Sequence, residues 1–254
     1  MDCEIQNSRE IEQLNQRGGR TLSIVDLIEA DTIDVRMAAH AMRAVAQGAS
    51  LLTGARPGGA GKTTLMAAIL GLLPPKVPII TVDRSHVVRQ GRERPANEPA
   101  CYLVHEIGSG HWYGYLWGPD VADFISLIGG ERRIASCLHA DTLQELTDIL
   151  VFPPLGVDRA ALGRVGLILF IHVVTGQRRP QRRVASFWEA DGDGEHDLVF
   201  QWNAKSDGFD QVGKLRDPEG LEPYERFIET LVDDGEADME VVRRKVVGFY
   251  QCGS

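Results

Sequence analysis

The chain has 254 residues, 43% apolar and 25% charged, enough to bury roughly 70–75% of its unfolded surface without disulfide or metal staples. Its net charge of −9 speaks against a protein whose main task is coating nucleic acid, because such binding runs on clustered Lys and Arg. Nucleic acid is therefore not an expected partner. Cys3, Cys101, Cys137 and Cys252 are widely spaced with no C-x-x-C pair and read as free thiols of a reducing compartment. No apolar run reaches the roughly 18 residues of a membrane span, and Met1-Asp2-Cys3-Glu4 opens no charged-then-apolar signal. The expected location is cytoplasmic.

Residues 1–48 read as a helical segment, a lid or packing layer against the core that begins at Ala49. Ser8 is placed to cap Arg9 to Gln16, Ser23 to Glu29 is short and amphipathic, and Asp34 starts a longer helix. In that helix Val35, Ala38, Ala39, Met42, Val45 and Ala46 keep helical spacing, and Gly48 sits where a C-terminal glycine belongs. From Ala49 the pattern becomes strand, loop, helix, strand. The expected strands are Leu51 to Thr53, Val77 to Val82, Cys101 to Val104, Ile134 to Leu138 and Val165 to Val174. Between them lie helices opened at Pro119-Asp120 and at Asp141, the latter with Gln144 three residues on as a capping box and Pro153-Pro154 as its stop.

Arg182 to Ala190 and Asp197 to Asn203, joined by Asp191-Gly192-Asp193-Gly194, read as an antiparallel hairpin. Glu222 to Phe249 reads as two helices separated near Asp233-Asp234-Gly235. Strands alternating with helices imply an α/β fold. Its sheet is mostly parallel with helices on both faces, succeeded by a C-terminal β-hairpin and helices. The expected divisions are a helical segment 1–48, a core 49–205 and a helical extension 206–254.

The densest chemistry lies in Leu51-Leu52-Thr53-Gly54-Ala55-Arg56-Pro57-Gly58-Gly59-Ala60-Gly61-Lys62-Thr63-Thr64. Glycines let successive N–H groups point inward, a helix N-terminus adds positive partial charge, and Lys62 adds a full one, so the segment suits phosphates. The pattern G-x-x-x-x-G-K-[ST] places the Thr63 hydroxyl on Mg²⁺, but its first glycine falls on Arg56. Either Gly54 supplies the turn with Ala55 and Arg56 inserted, or Arg56 takes the turn with φ < 0. The intact ending from Pro57 to Lys62 favours the first.

Ligands of open α/β sheets sit beyond the carboxyl ends of the strands, where Asp83, Glu106 and His139 come after three expected strands. Glu106 is suited to hold Mg²⁺ through water or to orient an attacking water; otherwise it is a solvent-facing strand end. Asp83 is a general base or water-positioning group, or else a cap or a salt-bridge partner of Arg84. His139 reaches a terminal phosphate or a neighbouring subunit, or is satisfied within the fold. Trp112-Tyr113-Gly114-Tyr115-Leu116-Trp117 reads first as packing, with an exposed docking loop as the alternative. The pairs Arg178-Arg179 and Arg182-Arg183 flank an expected turn, where basic residues are unremarkable.

The order of glycine-rich loop, Ile-Thr-Val-Asp83, Leu-Val-His-Glu106-Ile-Gly and Leu138-His139-Ala140-Asp141-Thr142 resembles the ATPases of type II and type IV secretion and of type IV pili. The resemblance covers about residues 40–190, and its histidine box is the most specific part. It implies a RecA-like P-loop domain, a hexameric ring, ATP and Mg²⁺ as cofactors, and a membrane-embedded secretion or pilus component as partner at the inner face of the membrane. By the same resemblance Lys62, Asp83, Glu106 and His139 are catalytic, and Pro57, Gly58, Gly59, Ala60, Gly61, Lys62, Thr63 and Thr64 bind the nucleotide. Thr63 and Glu106 hold the metal. Four departures stand out: Arg56 in the loop, Asp83 for the family's Glu, Arg84 for a residue commonly acidic, and Gly108 for an arginine. The family's large N-terminal domain is absent or reduced to residues 1–48. The arginine that such rings insert into a neighbour's site is not assigned among Arg84, Arg89, Arg92, Arg94, Arg132 and Arg133. The expected function is ATP binding with hydrolysis by a motor-type domain. The alternatives are a nucleotide-binding assembly or regulatory subunit with little turnover, which the departures favour, and a P-loop small-molecule kinase.

Overall fold

The computed structural model describes residues 3–15, 18–175, 180–216 and 218–252; the pair Arg178-Arg179 lies outside them. Three helices, α1 (Cys3–Gln13), α2 (Ile24–Glu29) and α3 (Val35–Ala46), precede strand β1 (Leu51–Gly54) and helix α4 (Lys62–Leu70). The chain continues through β2 (Ile79–Thr81), α5 (Ser85–Glu93), β3 (Ala100–Leu103), β4 (Glu106–Ile107), β5 (Tyr115–Leu116) and α6 (Asp120–Ile125). Then come β6 (Arg132–Leu138), α7 (Leu143–Val151), α8 (Arg159–Leu162) and β7 (Leu167–Val174). The last elements are β8 (Gln181–Ala190), β9 (His196–Asn203), β10 (Gly208–Gln211), α9 (Glu222–Asp233) and α10 (Met239–Cys252).

One sheet runs in the order β10-β9-β8-β7-β1-β6-β3-β2. From β7 to β2 the neighbours are parallel, and from β7 to β10 they are antiparallel. Side chains alternate across a strand, and here the alternation divides the core in two. Leu51, Cys101, Ala135 and Leu169 join an apolar cluster with α1 to α4 and the C-terminal helices. Leu52, Tyr102, Ile134 and Phe170 join a second cluster with α5 to α7. Both faces of the parallel half are therefore covered.

β1 pairs with β6 on one side and β7 on the other, in the registers Gly54↔Leu138 and Gly54↔Phe170. The segment leaving β1 thus lies beside His139, the residue that leaves β6. At the outer edge, α1 is fastened to the chain around β2 by the buried Asn7. Its amide donates to the Val77 carbonyl at 2.9 Å and accepts the Ile79 N–H at 2.7 Å.

Local capping differs from expectation in two places. Helix α1 starts at Cys3, so Ser8 is inside it and not its cap. Helix α7 is capped by Thr142, whose hydroxyl accepts from the Glu145 N–H, and not by Asp141. Asp34 does cap α3, accepting the Met37 N–H at 2.7 Å. No helix among the described residues is long and apolar enough to cross a membrane.

Candidate phosphate-binding site

The loop between β1 and α4 carries two left-handed residues, Gly59 (φ 79°) and Gly61 (φ 103°), conformations that glycine adopts without steric cost. Gly54 is different. It is part of β1, outside the left-handed region, and a Cβ there would meet the Ala140 carbonyl oxygen and the Phe170 ring at 2.6 Å. It serves close packing between strand and loop, not the turn expected of it. Arg56 also stays out of the left-handed region.

What Arg56 does is hold the loop to the start of α7. Its backbone N–H donates to Asp141 Oδ1 at 2.6 Å, and its Nη2 donates to Glu145 Oε1 at 2.6 Å. Its carbonyl accepts from His139 Nδ1 at 2.6 Å. A carbonyl only accepts, so Nδ1 carries the proton and Nε2 is left facing Glu106 Oε1 at 3.3 Å. The buried Lys62 ammonium lies 3.4 and 3.5 Å from the two ring nitrogens of His139. Lys62 makes no ion pair among the described residues, although a buried cation is costly without a counter-charge.

Thr63 comes after Lys62 on the first turn of α4, with its hydroxyl 3.8 Å from Cys137 Sγ. That thiol donates to the His105 carbonyl at 3.0 Å, and burial, with the nearby Glu106 charge second to it, pushes its pKa up to about 12. It is an inert neighbour of Thr63. Tyr115 is likewise pushed up to about 12, by burial first and then by the Glu106 carboxylate. His105 lies inside the fold, and burial pushes its pKa down to about 4.

Lys62, Thr63, Glu106, Tyr115 and His139 border a cavity of about 580 Å³, within the usual range of ligand sites of about 300–1,000 Å³. Gly58 to Thr64 form one wall, and Glu106 and His139 another. Trp112, Tyr115, Leu14 and Leu22 supply apolar surface. The cavity thus unites Gly58, Gly59, Ala60, Gly61, Lys62, Thr63, Thr64, Glu106 and His139. Pro57 and Asp83 do not line it. Asp83 is exposed and pairs with Arg84 Nε at 3.6 Å, the salt-bridge alternative its sequence left open.

The aromatic segment is not the packing element first expected. Trp112 is 67% exposed, and Tyr113 and Trp117 are exposed too, while Gly114 and Leu116 are buried. Most arginines considered for a neighbour's site are engaged within the chain. Arg92 pairs with Asp123, Arg132 donates to the Gly91 carbonyl, and the buried Arg133 donates to the Val45 carbonyl. One residue that touches the loop is set aside in the sequence as an unremarkable basic residue. Arg182 reaches from β8 to the glycine-rich loop and donates to the Gly59 carbonyl at 3.1 Å. The only signal for it was an arginine pair on an expected strand, which marks no position in space.

No protein-family model and no curated protein matches this chain. Among solved structures it is similar to the VirB11 ATPase from the Brucella suis type IV secretion system in complex with sulphate. The identity is 17%, with 72% of this chain and 55% of that one covered, at a TM-score of 0.42. It is similar also to the Legionella pneumophila ATPase DotB, at 13% identity, with 76% of this chain and 55% of that one covered and a TM-score of 0.37. The chain thus spans about half the length of either protein. Likeness at this level transfers no family membership and no residue role. The mixed α/β architecture, with its mostly parallel sheet and a glycine-rich loop between β1 and α4, is that of a P-loop-type fold.

Proposed function

We propose that this chain binds ATP with Mg²⁺ and hydrolyses it as a RecA-like motor domain of the secretion- or pilus-ATPase kind. The observation that carries the reading is the convergence at the end of the glycine-rich loop. Lys62 Nζ lies 3.4 Å from His139, and His139 lies 3.3 Å from Glu106, all bordering one cavity. The four boxes of the sequence resemblance point to the same residues, Asp83 excepted.

In this reading the amides of Gly58 to Thr63 and the N-terminus of α4 draw in the phosphates, and the phosphates give Lys62 the counter-charge it otherwise lacks. Mg²⁺ keeps most of its ligands from water and phosphate and takes one or two from protein. The Thr63 hydroxyl and the Glu106 carboxylate are hard oxygen donors that fit that habit. The ion would supply neutralisation of charge on the transferring phosphoryl group.

Glu106 orients the attacking water. His139 is placed to report on the terminal phosphate, because a phosphate that attracts Lys62 draws it from the imidazole, and the imidazole is bonded to the loop and faces Glu106. Residues 49–205 form the working core, flanked by 1–48 and 206–254. By the same resemblance the motor assembles as a ring beside a membrane-embedded secretion or pilus component on the cytoplasmic side.

The test is phosphate release from ATP by the purified chain and by Lys62→Ala. Release by the wild type and its loss in the variant are expected; equal release by both removes the reading. A second reading is nucleotide binding with little turnover, favoured by Asp83 standing outside the cavity in its pair with Arg84. Tight ATP binding by calorimetry without phosphate release selects it.

A further inference from the structure

Two arginines grip the glycine-rich loop, and they differ in what neutralises them. Arg56 spends its charge on Glu145 at 2.6 Å and lies 4.0 Å from Asp141. Arg182 approaches from the β8 side, and its stem rests against Gly61, where a Cβ would come within 3.2 Å of Arg182 Cδ. Its guanidinium donates once, to the Gly59 carbonyl, and makes no ion pair among the described residues. A guanidinium has five N–H donors, so most of this one's capacity is uncommitted. The next residue shows the contrast. Arg183 is buried and bonds both oxygens of Asp207 at 2.8 Å. Successive residues of a strand point to opposite faces, so β8 sends Arg183 inward to a carboxylate and Arg182 outward to the loop. In a chain of net charge −9, two cations without carboxylate partners, Lys62 and Arg182, meet at one loop.

We infer that Arg182 is a ligand of the bound phosphate chain. A nucleoside di- or triphosphate seated on the loop takes hydrogen bonds from the guanidinium donors that the Gly59 carbonyl leaves over. Lys62 holds the chain from the helix side and Arg182 from the β8 side. This rests on the nucleotide-binding reading above and adds a contact to it that the sequence motif does not contain.

The test is ATP titration of the full chain at low and at high salt for the wild type, Arg182→Gln, Arg182→Lys and Lys62→Ala, with thermal unfolding of each. Arg182→Gln is expected to weaken ATP binding about tenfold at low salt, the scale of one charge-assisted hydrogen bond, without lowering the melting temperature. Because exposed charges are screened by salt, that loss should shrink at high salt, and Arg182→Lys should recover most of the affinity. Wild-type affinity in Arg182→Gln, with binding lost in Lys62→Ala, overturns the inference and leaves the nucleotide reading standing. A loss of equal size at both salt levels also overturns it, since Arg182 would then act only by ordering the loop through Gly59. If the wild type binds no ATP, both fall together.

Discussion

Asp83 and Glu106 read alike in the sequence, each an acidic residue just past a short apolar strand, and the two strands are neighbours in the register Thr81↔Leu103. Their fates differ because their strands stand differently towards β1. β3 lies against β6, and the chain beyond it crosses the end of β6. Val104 N–H bonds the Ala135 carbonyl, and Ile107 pairs with Leu138, which carries Glu106 to His139. β2 is the edge strand on that side of the sheet. Beyond Thr81 only Val82 still bonds to β3, and the chain turns at once into α5, leaving Asp83 with Arg84 on the surface. Of these two acidic strand ends, the one whose strand is closer in sheet order to the loop-bearing strand thus borders the cavity.

The largest effect that tests this contrast is expected at Glu106. A positioned acid or base contributes about 10²–10⁴-fold to rate, so Glu106→Gln should lower phosphate release by at least about 10²-fold. ATP binding should change far less, since the loop and Lys62 are untouched. Phosphate release and nucleotide titration on the same preparation separate the two. Turnover near that of the wild type would remove Glu106 from the chemistry and erase its difference from Asp83.

A third carboxylate sharpens the contrast by serving the fold alone. Asp207 takes two of the guanidinium donors of the buried Arg183 and the indole N–H of Trp202 at 2.9 Å. The hydrogen bonds from Arg183, foremost among these causes, hold its pKa down to about 2, below the usual range near 3.8. Between those values the unfolded chain binds more protons, so the contribution is complete above pH 4 or so and is lost as pH falls towards 2. Asp207→Asn keeps the shape, and asparagine tolerates the left-handed backbone found there (φ 51°). It should lower the melting temperature at neutral pH and flatten its decline in acid, with nucleotide affinity unchanged. An unaltered acid profile would show that the pair does not carry this stability.

The sequence disclosed those parts whose physics is local. The strand, glycine loop and helix from Leu51 to Leu70 come from apolar run and backbone freedom, and α3 comes from its spacing and Asp34. Elements with little apolar signal stayed hidden. Helix α5 buries only Val88 and Gly91, and it approaches the sheet because a Cβ at Gly91 would already be 2.8 Å from the Tyr102 ring. The two-residue strands β4 and β5 are too short to show a period. Long-range pairing was the other blind spot. Arg56 looks like a fault in a motif until its partners, 85 and 89 residues away, are in view, and Arg182 meets the loop across 123 residues. Trp112, Tyr113 and Trp117 misled for the opposite reason: their type suggests a core, and their place is the surface and the cavity rim.

The smallest expected effect is at Asp83, and it is the most exacting for the comparison. A surface substitution with no buried partner usually changes free energies by about 0.5 kcal/mol or less, which is about twofold in a rate. Asp83→Asn should therefore release phosphate within about twofold of the wild type and bind ATP as before. A loss approaching that of Glu106→Gln would mean that the outer strand end reaches the cavity once nucleotide is bound, and the distinction drawn from sheet order would fail. Asp83→Glu is the complementary variant, because it restores the side-chain length of the family pattern. It should leave turnover where it is, since what keeps this carboxylate from the loop is the position of its strand and not a missing methylene.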